Sequence, residues 1–117
     1  MKINWQSITQ QDFLDNYWQQ KPVVLKNALP NLIDPITPDE LAGLAMESFV
    51  ESRIVSHRQN EWRVEHGPFN DFSELGEQDW SLLVQGVDNF NPGTQAMLEL
   101  VNFVPKWRVD DIMVSFS

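Results

Sequence analysis

Cysteine is absent from these 117 residues, and histidine occurs only twice, as His57 and His66. The first absence excludes disulfides and thiolate metal sites and suits a reducing compartment. The second leaves any metal centre short of ligands, because two histidines without a convergent third ligand make a poor iron or zinc site. No apolar run approaches the roughly 18 to 20 residues of a membrane span. The opening residues Met1 to Gln6 carry no apolar run behind Lys2, so no secretory leader is expected and the cytoplasm is the expected location. Basic residues are scarce: 8 Lys and Arg stand against 17 Asp and Glu, for a net charge of -9. That balance repels a phosphate backbone, so direct nucleic-acid binding is not expected, and it favours basic partners. Glycine numbers only 5, with no Gly-rich phosphate loop and no G-x-S-x-G nucleophile elbow. Repeats, low-complexity tracts and linkers are likewise missing.

What is present is enough for a core: 42% of the residues are hydrophobic, with 5 Trp and 7 Phe. Thr9 reads as a helix cap, with Asp12 near the positive end of the dipole and Phe13, Leu14, Tyr17 and Trp18 on one stripe. Lys21-Pro22 ends that helix, and Val23-Val24-Leu25 follows as a short strand. Thr37-Pro38-Asp39-Glu40 combines an N-cap, a first-turn proline and a capping-box glutamate, opening a helix through Leu41, Leu44 and Ala45 that fades near Glu47 or Ser48. Its paired acids are explained by capping, not by acid–base chemistry. Arg53 to His57 and Trp62 to His66 read as the arms of a hairpin joined by Arg58 to Glu61, with His66 expected beyond the paired region. Both histidines read as polar edge-strand residues. Asp71 to Leu75 suits one helical turn, Trp80 to Gln85 a buried strand, and Thr94 the cap of a helix through Met97, Leu98 and Val101 that ends before Pro105. The class is mixed α and β (α+β), with an antiparallel or mixed sheet.

The last stretch, Trp107 to Ser117, organises the reading. From Ile112 it alternates, with Ile112, Val114 and Phe116 on one face and Met113, Ser115 and Ser117 on the other. A half-finished apolar strand has backbone groups in need of partners, so residues 1–117 are expected to be the front part of a longer protein, and open strands are expected to drive self-association. Asp110-Asp111 is the one carboxylate pair near this strand; adjacent residues on a strand diverge, and one of the two is expected to face solvent or pair with Arg108. Residues alone take the chain no further than an acidic α+β piece, with a non-catalytic protein-binding or self-associating scaffold module as one reading.

A resemblance takes it further. Trp18 to Lys26 resembles the entry segment of the JmjC-type cupin oxygenases. Asp34 to Ala45, Ser52-Arg53, His66-Gly67-Pro68-Phe69, Trp80 to Gln85 and above all Trp107 to Ser117 are similar to one branch of them, the bacterial ribosomal-protein arginine hydroxylases. The resemblance runs through all 117 residues and corresponds to about the first third of a family member. It implies an incomplete double-stranded β-helix (a cupin-like jelly roll) preceded by N-terminal helices and strands, with residues 1–117 a single N-terminal piece of the oxygenase domain. It implies Fe(II) and 2-oxoglutarate as cofactors of the full-length protein, none for this piece alone, and a basic ribosomal protein as substrate. The family's His-x-Asp pair and later histidine would lie beyond Ser117, so no catalytic or metal-ligating residue is expected here and His57 and His66 do not match the ligands. By the family pattern Ser115 sits where a site-lining residue contacts 2-oxoglutarate or substrate, with Met113 on the same face.

Overall fold

Runs of β-branched and aromatic residues can be stable as strands only where a ladder satisfies their backbone, and here four of them find one another. The computed structural model describes residues 1–117. Strands β1 (Ser52–Arg58), β2 (Glu61–His66), β3 (Trp80–Val84) and β4 (Val114–Phe116) form one sheet in the order β2-β1-β3-β4. Every pairing is antiparallel, so the fold is a mixed helix and antiparallel-sheet architecture. The chain divides into two compact units, Met1–Ile33 and Asp34–Ser117.

In the first unit Thr9 and Asp12 form a reciprocal capping box around helix α1 (Gln10–Asp12). The helix continues as a π-turn over Phe13–Tyr17, and Trp18 N–H donates to the Phe13 carbonyl at 2.8 Å. Trp5 and Phe13 lie 5.3 Å apart, ring to ring, and Asn4 N–H donates to Ala28 C=O at 2.8 Å. Val23-Val24-Leu25 is not a strand: no strand pairs with it and Val24 is 82% exposed. β propensity without a ladder leaves the segment irregular.

The second unit holds the core. Helix α2 (Pro38–Ala45) starts at Thr37, whose Oγ1 accepts from Glu40 N–H at 3.2 Å while Glu40 accepts from Thr37 N–H. Leu41 and Ala45 from this helix, Ile54 from β1, Leu82 and Val84 from β3, Ile36 and Val50 from the loops, and Val87 from a 3₁₀ turn (Val87–Asn89) make one buried cluster. The hairpin between β1 and β2 is tighter than the sequence suggests. Arg58 pairs with Glu61, leaving a two-residue loop in which Gln59 and Asn60 take φ of 52° and 63°, the twist that suits antiparallel strands. His66 therefore lies inside the ladder, opposite Arg53, and His57 stands on an interior strand.

Three further expectations are corrected. Asp71 to Leu75 is a side-chain-stabilised turn: the Asp71 carboxylate accepts from Ser73 N–H at 2.9 Å and Ser73 Oγ at 2.7 Å, and the hydroxyl bond chiefly holds its pKa below the usual value. Helix α3 (Pro92–Ala96) is capped by Asn91, whose Oδ1 accepts from Thr94 N–H and Oγ1, and it tightens to a 3₁₀ turn over Met97–Val101. Strand β4 pairs only from Val114, because the backbone of Ile112 is engaged elsewhere.

That engagement is a reciprocal clasp. Ile112 N–H donates to Asp88 Oδ1 at 2.9 Å, and Ile112 C=O accepts from Val87 N–H at 3.0 Å. Of the pair of which one member was expected in solvent or beside Arg108, Asp110 is the exposed one, while Asp111 accepts from Gly86 N–H at 2.7 Å and Gln85 Nε2 at 3.2 Å. Gly86 turns the chain at φ 64°, where a side chain would be strained.

Two stability predictions follow from this packing. Leu41, 1% exposed, should lose about 2 to 5 kcal/mol on Leu41→Ala, and Thr37→Ala about 1 kcal/mol from the lost cap, both read by urea denaturation. Asp111→Ala should cost about 1 to 3 kcal/mol by orphaning the Gly86 donor, while Asp110→Ala should stay within about 0.5 kcal/mol. Equal effects at the two aspartates would contradict the clasp.

Candidate functional site

The register sorts side chains onto two faces. On the core face Glu65, Ile54, Leu82 and Phe116 form one row across the four strands, and Ser52, Val84 and Val114 another. On the opposite face His66, Arg53, Leu83 and Ser115 form the matching row. One step along, Val64, Val55 and Ser81 share a row, and Ser81 Oγ meets Ser117 Oγ at 2.7 Å. His57 and Trp62 are direct cross-strand partners. None of the residues of this second face belongs to the buried core cluster, and Trp62 is 73% exposed.

The two residues singled out from sequence are both here. Ser115 is exposed on β4 and Met113 precedes the strand on the same side. Arg53 reaches across to Met113, its Nη2 standing 3.9 Å from the sulfur. Val114 packs against the core cluster, as the alternation requires. Phe116 contacts Trp80 at 6.0 Å between ring centroids but remains 40% exposed, so it covers the core margin.

Sequence reading missed Arg53, His57, Trp62 and Ser81 as members of this face. The signal was present in the alternation of each strand, but only the pairing of β1 with both β2 and β3 brings them together.

The residues present do not fit a metal centre. No three His, Cys, Asp or Glu side chains converge. His57 and His66 share the open face but stand opposite Trp62 and Arg53 respectively. Those partners set the two histidines four positions apart along the ladder, roughly 13 Å at about 3.3 Å per residue. What the face offers is one guanidinium, hydroxyls at Ser81, Ser115 and Ser117, and an aromatic pair, a set able to hold polar ligands by hydrogen bonds and stacking.

Comparison with known proteins places this arrangement. No family model matches the chain. It is 52% identical over 117 residues to the ribosomal protein uL16 3-hydroxylase of Escherichia coli strain K12, covering all of this chain and 30% of that protein. It is 36% identical over 113 residues to the probable ribosomal oxygenase of Haemophilus influenzae, covering 94% of this chain and 28% of that one. The solved structure of YcfD, a ribosomal oxygenase from Escherichia coli, superposes with a TM-score of 0.91 at 51% identity, over 100% of this chain and 32% of that one. The same protein in complex with cobalt and 2-oxoglutarate also gives a TM-score of 0.91, at 53% identity over 95% of this chain and 31% of that one. A further structure of YcfD holds cobalt and succinic acid. Along its whole length, therefore, this chain is similar to proteins named as ribosomal oxygenases, and it spans about 30% of the length of the first relative it matches.

Proposed function

We propose that residues 1–117 are one N-terminal piece of a JmjC-type, cupin-like oxygenase domain that uses Fe(II) and 2-oxoglutarate to hydroxylate an arginine side chain of a ribosomal protein in the cytoplasm. The observation that carries the reading is the open sheet face, where Ser115 and Met113 share one side of β4 with Arg53 two strands away. Relatives named as a uL16 hydroxylase, and solved with cobalt and 2-oxoglutarate, support it. This chain's own part is positional. It supplies no set of converging metal ligands, so its contribution is a rigid wall that presents polar groups to a bound ligand. Ser115 Oγ can donate to a carboxylate or accept from a guanidinium, each bond contributing roughly 1 to 3 kcal/mol when charge-assisted. Met113 is a soft, apolar neighbour against which a side-chain methylene can pack.

In the intact oxygenase Ser115→Ala should leave the fold unchanged and lower turnover about tenfold, equivalent to ~1.4 kcal/mol. Phe116→Ala should cost stability instead. Its partial exposure reduces that cost to about 1 to 2 kcal/mol, below the roughly 3 to 5 kcal/mol of a fully buried phenylalanine. Thermal melts and mass-spectrometric detection of hydroxyarginine read the two side by side. If Ser115→Ala unfolds the protein while Phe116→Ala spares the fold and abolishes turnover, the faces are reversed.

A second expectation concerns the edges. β2 bonds only to β1, and β4 only to β3, so this chain taken by itself offers two uncapped edges for pairing with another copy. Sedimentation velocity at high micromolar concentration should show dimers or larger species, and a clean monomer would contradict this.

A further inference from the structure

One cavity on the open face is not accounted for by Ser115 and Met113. It lies at the end of the sheet near the hairpin turn, has a volume of about 360 Å³, and is lined by residues of β1, β2 and β3 together with the segment before β3 and the end of β4. That volume lies in the range of small-ligand sites. One wall is the His57–Trp62 pair, stacked with ring centroids 4.2 Å apart and planes 13° from parallel. Ser81 and Ser117, joined through their hydroxyls, lie beside it, and Glu77 and Asp79 supply two carboxylates. The backbone holds these parts together, since His57 N–H donates to Asp79 C=O at 3.0 Å and thereby fixes the acidic segment next to the stack. No lysine or arginine lines the cavity.

We propose that this cavity is a recognition subsite for an arginine side chain of the protein substrate, one that flanks the residue to be modified. The chemistry is specific. A guanidinium is planar and weakly hydrated, so it packs against the aromatic wall formed by His57 and Trp62. Its N–H fork then meets the Glu77 and Asp79 carboxylates in charge-assisted hydrogen bonds. An anionic ligand would face two carboxylates with no cation in the lining, and a purely apolar one would strip them of water without replacement. Ser117 lies two residues from Ser115 along the same strand face, roughly 7 Å, about the distance between alternate residues of an extended peptide. A substrate lying along β4 would thus place one side chain near Ser115 and another in the cavity.

The subsite rests on the proposed oxygenase function only for the identity of its ligand, and the test separates the two. In the first arm, N-acetyl-arginine methylamide is titrated into the 15N-labelled protein, with the glutamine analogue as control. The Trp62 indole signal, assigned by its loss in Trp62→Phe, should shift with the arginine compound and not with glutamine. In the second arm, the intact oxygenase acts on a ribosomal-protein peptide carrying a flanking arginine. Trp62→Ala should raise KM about three- to tenfold with little change in kcat, and Glu77→Gln about twofold to threefold. Replacing the flanking arginine by glutamine should raise KM for the unmodified enzyme and add little to Trp62→Ala, the signature of a direct pair. An indole shift without any hydroxylation would support the subsite and sink the oxygenase reading. Hydroxylation with KM unaffected by both substitutions would overturn the subsite and leave the oxygenase reading standing. No shift at tens of millimolar arginine compound would overturn the subsite as well.

Discussion

The structure depends on β3 being paired on both sides at once. Five residues long, it bonds to β1 along one edge and to β4 along the other, so it fixes the phase of every strand in the sheet. A strand's side chains alternate with period two, and a slip of one residue at β3 would carry Leu82 and Val84 out of the core and Ser81 and Leu83 into it. Burial resists that slip: Leu82 is 3% and Val84 0% exposed, and both pack with Leu41, Ala45 and Ile54. The order of the open face is a consequence of packing on the closed one. Arg53, Ser81 and Ser115 face away from the core because their neighbours must face into it.

The clasp between residues 85–88 and 111–112 serves the same end. It anchors the chain just before β4, so that Val114 enters the ladder opposite Val84 and Ser115 opposite Leu83. Position and any binding role are linked here by backbone hydrogen bonds, since a polar wall is useful to a ligand only if its groups are held within a fraction of an ångström.

Features that depend on neighbours in sequence were legible from the sequence. The Thr37–Glu40 capping box, the hairpin and the alternation of the last strand all involve residues within a few positions of one another, and local chemistry decides them. Features that depend on distant partners were not. The sequence leaves open which of Asp110 and Asp111 faces solvent, and the choice is made by Gly86, 25 positions before Asp111, whose amide Asp111 accepts. Val23 to Leu25 has the composition of a strand, yet composition cannot supply the missing ladder. The hairpin loop was read too long because Gln59 is an unexpected residue for a positive φ. Most consequentially, the open face was half visible: Ser115 and Met113 were placed by alternation within one strand, whereas Arg53, His57 and Trp62 joined them only through a register that spans the sheet. The family resemblance pointed to the same terminal strand, and the 52% identity to the uL16 hydroxylase supports it.

The division of the sheet into a packed face and an open face is the claim on which the site assignment rests, and the absence of cysteine makes it directly measurable. Single cysteines introduced at Ser81, Leu82, Val84 and Ser115 can be labelled with a small thiol reagent under native conditions. Ser115→Cys should react at close to the rate of the unfolded chain and half-buried Ser81→Cys more slowly, while Leu82→Cys and Val84→Cys should react only through opening of the fold and so far more slowly than either. Rapid labelling at Leu82 or Val84 together with protection at Ser115 would show that β3 and β4 present the opposite faces, and the account would fail.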